Sequence, residues 1–208
     1  MNWTEGGRQE PTYGVGERCE LTVTLSPPNC TDVYIITASG ANTAINGNTV
    51  TCLAAGAVTV KVTAQSGVTA ETSISVIDLA AYEAEVVRLV NAERAKASLP
   101  ALSAANTLLG EAASVRAKEI IVSFDHTRPD GRAPATAYED LGGKYTGRFR
   151  GLGENIAYGQ HTPALVTEAW MNSDGHRQNI LKTDYTHIGV GLALDGRGVL
   201  YWCQLFYG

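Results

Sequence analysis

The chain has 208 residues, a formal net charge of −5, 44% hydrophobic and 18% charged residues. This length allows two domains of unequal size, and the acidic balance without runs of like charge makes nucleic acid and anionic membrane surfaces unexpected partners. No apolar stretch reaches 18 residues, so we do not expect a transmembrane protein.

The first residues, MNWTEGGRQEPTYG, lack the basic and then apolar layout of a secretion signal. Either the protein is cytosolic or its signal is absent from this sequence, and the domains described below favour the second interpretation. From Gly16 to Ile77 short runs alternate apolar and polar residues, as in CELTVTL, DVYIIT, VTVKVTA and ETSISVI, with SPPN and NGN as turns. This alternation predicts a small β-sandwich, with a hairpin at INGNTV.

This N-terminal part resembles the bacterial Ig-like domain of group 2. The resemblance rests on the order VGERCELTVTLSPPNCTDVYIITASG, GNTVTCLAAGAVTVKVTAQSG and SISVID, and VTCLAAGAVTVKVTA is its most specific piece. One departure is that DVYIITASG carries Ile where the family usually has Trp. The resemblance implies an all-β Ig-like sandwich over residues 1–78 that serves as a spacer or adhesive stalk.

The four cysteines are Cys19, Cys30, Cys52 and Cys203. None forms a C-x-x-C pair, so a zinc–thiolate site is not expected. Four cysteines allow three full pairings, and one bridge plus unpaired cysteines is equally compatible with the spacing. We expect one disulfide inside the N-terminal region.

At Asp78 the period changes to that of amphipathic helices. Leu79, Tyr82, Val86 and Leu89 predict a first helix with Asp78 as N-cap. SAANTLLGEAASVRAKEIIV predicts a second helix, and PALVTEAWMNS a third with Pro163 in its first turn. The chain ends in strands His187 to Leu194 and Val199 to Phe206 around LDGRG, so residues 79–208 read as an α+β sandwich.

Six motifs of this region resemble the CAP superfamily (cysteine-rich secretory protein, antigen 5 and pathogenesis-related 1) in its bacterial SCP-like form. They are LVNAERAKASLPAL, FDHTRPDGRAP, GLGENIAYG, EAWMNSDGHRQNIL, YTHIGVGLAL and YWCQLF, in the family's order. The resemblance implies an α-β-α sandwich with a cleft lined by two His and two acidic residues.

The positions that match this cleft are His126, Glu154 and His176, with Asn155 beside Glu154 as a further cleft residue. The second acidic position, three residues after Trp170, holds Ser173. Glu168 is a weak substitute, because on a helix it points roughly 160° away from Trp170.

Two imidazoles and a carboxylate can hold zinc or another divalent cation with a position left for water. His126 and His176 would then be ligands and Glu154 a ligand or general base of a metal-dependent hydrolase. No H-E-x-x-H motif supports this, and Ser173 weakens it. The alternative is structural: His176 pins a tight turn, and Glu154 with Asn155 satisfies backbone amides of a loop.

The remaining candidate residues are weaker candidates for a functional role. His161 reads as a solvated residue and His187 as a packed or surface residue. Ser173 with His176 lacks a G-x-S-x-G elbow, and Cys203 lies in a strand that looks packed rather than activated.

These observations favour a non-enzymatic bacterial protein, extracellular or on the cell surface, whose CAP domain binds a small-molecule, lipid-like or peptide ligand in its cleft. A cell-surface or host component is a further possible partner. The alternatives left open are the metal-dependent hydrolase and a purely structural or adhesive surface module.

Overall fold

The computed structural model describes residues 11–26, 30–144 and 151–208. The chain divides into two compact units, Met1–Asp78 and Leu79–Gly208. In the described residues, no helix combines the length and apolar character needed to cross a membrane. Most of the predicted SPPN turn, residues 27–29, and residues 1–10 lie outside the described residues.

Within residues 11–26 and 30–78, the N-terminal unit contains seven strands in two sheets. They are β1 (Thr12–Gly14), β2 (Arg18–Glu20), β3 (Tyr34–Gly40), β4 (Thr43–Asn46), β5 (Thr49–Cys52), β6 (Gly56–Ala64) and β7 (Thr69–Ile77). One sheet has the order β1-β7-β6-β3 and the other β2-β5-β4. The β1–β7 pair is parallel, and the pairs β2–β5, β3–β6, β4–β5 and β6–β7 are antiparallel. Residues from both sheets form one buried cluster: Cys19, Val50, Cys52, Val58, Val60, Ile74 and Val76.

The hairpin at INGNTV is confirmed. Strands β4 and β5 pair antiparallel with Asn46 opposite Thr49, and Gly47 has the positive φ, +58°, that such a tight turn requires. Because of the same turn, only the first two residues of the predicted strand CELTVTL, Cys19 and Glu20, belong to a strand, β2. Glu20 already pairs with Thr49, the first residue of β5, so the partner strand has ended and Leu21 bonds only to the turn carbonyl of Asn48.

The predicted disulfide in this region is wrong. All four cysteines lie among the described residues and are free thiols. Cys19 lies opposite Val50, so Cys52 is its diagonal neighbour across the strand pair. Diagonal neighbours have Cα atoms about 7–8 Å apart, beyond the usual disulfide range of roughly 4.4–6.8 Å.

The C-terminal unit mixes helices with an antiparallel sheet. Its elements are α1 (Leu79–Lys96), α2 (Thr107–Val122), α3 (Thr136–Asp140), β8 (Gly153–Tyr158), α4 (Pro163–Met171), α5 (Asp174–Ile180), β9 (His187–Leu194) and β10 (Leu200–Tyr207). The strand order is β8-β10-β9, which makes β8 an edge strand. The three long helices and the final hairpin predicted from sequence are thereby confirmed.

One face of this sheet is covered by α2. Its small residues Ala112, Ala113 and Ala117 share a buried cluster with alternate residues of the strands, including Ile156, Cys203 and Leu205. The helix approaches β9 at two glycines, because a Cβ on Gly189 or Gly191 would lie 2.2–2.3 Å from backbone atoms of α2. The approach brings polar groups of α2 within reach of β8.

The opposite face is covered by α1 and α4. Tyr82 of α1 stacks on Trp202 of β10 with ring centroids 6.3 Å apart, and the indole N–H of Trp170 in α4 donates to the carbonyl of Ile156. Both Trp side chains are fully buried. The unit therefore has three layers, α-β-α, and its polar residues of interest lie at the β8 edge between the helical layers.

Two segments differ from the sequence prediction. The stretch with His176, expected as a tight turn, is the helix α5, and the Glu154–Asn155 pair, expected in a loop, lies in β8. A helix of seven residues is too short to show a periodic pattern. Five of the six β8 residues are buried, so this strand shows no apolar–polar alternation either.

Candidate functional site

Glu154 occupies the α2 side of the edge strand β8. Its side chain is only 3% exposed, and one carboxylate oxygen, Oε1, accepts a hydrogen bond of 2.7 Å from Nε of Arg116. Arg116 projects from α2 and is itself fully buried. The fold thus places a buried ion pair directly behind the predicted cleft.

His126 follows α2 in an irregular segment. Its Nδ1 lies 2.7 Å from Oε2 of Glu154, while 60% of its side chain is exposed. A carboxylate that is paired with a guanidinium only accepts hydrogen bonds, so Nδ1 carries the proton. In the neutral ring, Nε2 is then the unprotonated nitrogen.

The segment that carries His126 is fixed by a second arginine. Arg128 is 8% exposed and donates to both carboxylate oxygens of Glu119 on α2 and to Asp140 on α3. Burial would raise the pKa of Glu119, but hydrogen bonds from Arg128 and Arg116 outweigh it and hold this pKa below its ordinary value. The charged network attaches the His126 segment to two helices.

His176 approaches the site from α5, on the other side of β8. Its half-buried ring has a pKa below the ordinary value, first because burial disfavours the imidazolium and second because His126 is close enough to repel it. Its backbone carbonyl accepts a hydrogen bond of 3.1 Å from the side chain of Asn155. Burial thus disfavours the charged form of His176, and its backbone is fixed by Asn155.

Asn155 joins the edge strand to α5. It is fully buried, donates to Gln204 of β10 at 3.1 Å, and accepts from the Asn179 amide of α5 at 2.9 Å. The Asn179 amide also donates to the backbone carbonyl of Glu154 at 3.2 Å. These amides hold α5 against β8, so Asn155 supports the site from behind.

The two substitutes considered for the second acidic position differ in placement. Ser173 is the half-buried N-cap residue of α5, three residues before His176, and its side chain makes no capping hydrogen bond. Glu168 is exposed on α4, and its carboxylate forms no hydrogen bond or ion pair with His126, Glu154 or His176, all of which are described.

The other residues weighed from the sequence lie elsewhere or are inactive. His161 is exposed before α4, and His187 stacks on Tyr207 with ring centroids 4.6 Å apart. Complete burial, with Glu154 nearby, raises the pKa of the Cys203 thiol, whose sulfur lies 3.8 Å from Oε1 of Glu154. Cys203 is therefore a packed thiol and not a nucleophile.

Sequence reasoning missed Arg116 and Asn179. Arg116 lies between Ala112, Ala113, Ala117 and Ile120 on the apolar stripe of α2. A charged residue inside an apolar stripe needs a buried partner, and this signal was available. Asn179 gave no comparable signal.

The donor set does not fit the zinc site that the resemblance implies. A catalytic zinc takes three protein ligands, and both oxygens of Glu154 are already engaged by Arg116 and His126. In the part of the chain that the structure describes, no group of three or more His, Cys, Asp or Glu side chains is placed to hold a metal ion. Only the imidazoles of His126 and His176 remain as donors.

By its fold and site, the C-terminal unit is an α-β-α domain with a histidine–carboxylate pair at the edge of its sheet. The Cysteine-rich secretory protein family, CAP, matches residues 87–206, more than half of the chain. The chain therefore belongs to this family, and the resemblance seen in its motifs is confirmed.

Two curated proteins of Bacillus subtilis are similar to the chain in sequence. The chain is 43% identical over 134 residues to the uncharacterized protein YkwD of Bacillus subtilis, covering 62% of this chain and 48% of the relative. Over 44 residues it is 50% identical to an uncharacterized membrane protein, YlbC, of the same species, covering 21% of this chain and 13% of that protein. The chain thus spans about half or less of the length of these curated relatives.

Solved structures share the fold. An extracellular protein with an SCP domain from Bacillus anthracis has a TM-score of 0.53 at 24% identity, covering 62% of this chain and 41% of that one. An outer surface protein from Borrelia burgdorferi has a TM-score of 0.50 at 23% identity, covering 58% and 87%. A cysteine-rich secretory protein from Staphylococcus aureus has a TM-score of 0.51 at 16% identity, covering 72% and 56%.

Proposed function

We propose that the chain is a ligand-binding module of an extracellular or cell-surface bacterial protein, and that its ligand contacts the cleft formed by His126, Glu154 and His176. The observation that carries this proposal is the exposed imidazole of His126 held at 2.7 Å by a buried carboxylate. A buried ion pair is a costly way to orient a surface side chain. An oriented, exposed polar group is what a binding site requires.

An apolar surface beside this imidazole supports an amphipathic ligand, lipid-like or peptidic. Phe124 is 47% and Tyr158 is 53% exposed, and their rings meet edge to face with centroids 4.8 Å apart. Phe124 lies two residues before His126, and Tyr158 lies on the same side of β8 as Glu154, about 13 Å along the strand. A ligand can thus place a polar group at His126 and an apolar group on this aromatic pair.

In this proposal, the N-terminal unit serves as a spacer or adhesive stalk. Its seven short strands, two sheets and shared buried cluster support the group 2 Ig-like assignment. The surface location rests on the solved relatives described as an extracellular protein and an outer surface protein. The hydrolase alternative has no comparable support, because its third ligand is already engaged by Arg116.

Calorimetric titration of the whole chain tests the binding function. The probes are oleate and the N-methylamide of N-acetylphenylalanine, one lipid-like and one peptidic. We expect saturable binding of at least one probe, weakened about tenfold or more by His126→Ala and by Phe124→Ser. The matched control, His161→Ala, alters an exposed histidine that precedes α4, and it should bind like the wild type.

Two results would overturn the binding proposal. The first is the absence of saturable binding of either probe, which favours the structural or adhesive module. The second is binding that both cleft variants leave unchanged, which would place the ligand elsewhere on the chain.

A further inference from the structure

Arg116 is a buried cation whose guanidinium is divided among three acceptors. It is fully buried on α2, where an unpaired charge would cost several kcal/mol. Nε donates to Glu154 at 2.7 Å, one terminal nitrogen to Glu119 at 2.7 Å, and the other to the backbone carbonyl of Asp125 at 2.8 Å. Burial alone would lower the pKa of Arg116, but the hydrogen bonds to Glu154 and Glu119 raise it, so the cation persists.

These contacts decide which oxygen of Glu154 meets His126. Oε1 accepts the short bond of 2.7 Å from Nε of Arg116 and has the Cys203 sulfur 3.8 Å away, whereas Oε2 receives only a long contact of 3.5 Å from a terminal nitrogen of Arg116 and lies 2.7 Å from Nδ1 of His126. The contact to the Asp125 carbonyl fixes the backbone next to His126 from the same guanidinium. Arg116 therefore acts on both partners of the His126–Glu154 hydrogen bond.

We propose that Arg116 is the positioning residue of the cleft: it holds Glu154 so that His126 keeps its proton on Nδ1 and presents the lone pair of Nε2 to the ligand. A lone pair accepts hydrogen bonds, so the ligand group at His126 is a donor such as an amide N–H or a hydroxyl. This choice of ligand class rests on the proposed binding function. The assignment of the proton to Nδ1 does not rest on that function, because it concerns the protein without ligand.

The local charge balance agrees with a neutral donor as ligand. Glu154 is paired with the buried cation of Arg116, which it shares with Glu119. The carboxylate next to His126 therefore already has a positive partner and does not need a second cation. Glu154 orients His126 and is already neutralised, which differs from the role of a metal ligand.

The Glu154→Gln variant gives the sharpest test, because it replaces one oxygen by an amide nitrogen of the same size. Arg116 can only donate, so it selects the amide oxygen and turns the amide nitrogen toward Nδ1 of His126. That nitrogen also donates, so His126 must move its proton to Nε2. The expected result is therefore a reversal of the His126 tautomer, read from the 15N shifts of its ring nitrogens at pH 8 without ligand.

The outcomes are distinct. The proposal expects protonated Nδ1 in the wild type, protonated Nε2 in Glu154→Gln, and a mixture in the double variant Glu154→Gln with Arg116→Gln, where the amide is free to turn. A tautomer unchanged in Glu154→Gln would overturn it. Should Glu154→Gln fail to fold, Arg116→Lys decides: an ammonium has three N–H donors on a single nitrogen and cannot reproduce the spread of the guanidinium over Glu154, Glu119 and the Asp125 carbonyl, so part of the Nδ1–H population is lost.

Arg94→Lys is the matched control for Arg116→Lys. Arg94 is equally buried, but it donates to backbone carbonyls and makes no contact with Glu154. The His126 signals should therefore match those of the wild type. An Arg116→Lys spectrum identical to this control would also contradict the positioning role.

The ligand class is tested by methylating both amide nitrogens of the peptidic probe. N-acetylphenylalanine N-methylamide has two N–H donors, and N-acetyl-N-methylphenylalanine N,N-dimethylamide has none. We expect the dimethylamide to bind about tenfold more weakly to the wild type. Equal affinities, or saturable binding of oleate alone, would overturn the donor assignment, because the oleate carboxylate has no hydrogen to donate. Failure of both oleate and the peptidic probe to bind would overturn the binding function and leave the tautomer result standing.

Discussion

The side-chain amide of Asn155 donates a hydrogen bond of 3.1 Å to the backbone carbonyl of His176, which ties the sheet edge to the helix that carries the second imidazole. Replacing Asn155 by Ala removes this bond and those to Gln204 and Asn179, all in a fully buried place. We expect the free energy of unfolding to fall by about 2–3 kcal/mol. Urea unfolding followed by near-UV circular dichroism measures this loss.

Asn172→Ala is the control for the Asn155 variant. Asn172 is exposed at the end of α4, so its truncation should change the free energy of unfolding by less than about 0.5 kcal/mol. Equal effects of the two variants would show that the buried amide network does not hold α5.

Arg94 anchors the far end of α5 through backbone carbonyls. It is fully buried on α1 and donates to the carbonyls of Ile180 at 2.8 Å and Lys182 at 2.9 Å. Arg94→Met leaves these carbonyls unpaired in the interior, so we expect a loss of about 3 kcal/mol in the free energy of unfolding. Arg88→Met on the same helix breaks only an exposed pair with Glu85 and should cost less than about 0.5 kcal/mol.

The lowered pKa of His176 predicts a specific pH dependence of stability. Burial, and then the proximity of His126, places the folded pKa below the unfolded value of about 6.5. Between these two values the unfolded chain binds more protons, so this contribution to stability is present above pH 6.5 and is lost as pH falls through the folded pKa. His176→Gln should therefore flatten the decline in unfolding free energy just below pH 6.5.

Urea unfolding at several pH values between 5 and 8 would measure this slope. His161→Gln serves as the control for replacing an exposed histidine by glutamine. A slope that His176→Gln leaves unchanged would contradict the buried, neutral state of His176.

The features with a repeating pattern were predictable from the sequence. Apolar spacing located α1, α2 and α4, and period-two alternation located the final hairpin. The short helix α5 and the buried strand β8 carry no such pattern, although they hold His176 and Glu154. Motif resemblance supplied these two residues, and periodicity could not.

The supporting residues of the site were harder to predict than the exposed ones. The role of Arg116 depends on a contact with Glu154, 38 positions away in sequence, which only the packing of α2 on the sheet creates. The incorrect disulfide had a similar cause. Sequence spacing places Cys19 and Cys52 in one region, but strand register makes them diagonal neighbours.

The close approach of α2 to the sheet predicts that a larger residue at Gly191 destabilises the domain. A methyl group on Gly191 would lie 2.2–2.3 Å from the backbone of Ala113 and Ser114, so Gly191→Ala must push helix and sheet apart. Overpacking of this kind costs about 1–3 kcal/mol, and backbone on both sides leaves little room to adjust, so we expect a loss near the upper limit. Because α2 carries Arg116, the His126 tautomer should become mixed in this variant.

Gly110→Ala, on α2, is the matched substitution, and we expect it to raise the free energy of unfolding. A methyl group there meets nothing within 4 Å, and alanine favours the helix over glycine, so the free energy of unfolding should rise by about 0.5–1 kcal/mol. Thermal and urea unfolding of both variants, with 15N spectra of His126, would check the pair. A Gly191→Ala protein as stable as the wild type would show that α2 does not rest directly on β9, and the geometry that places Arg116 beside Glu154 would then need revision.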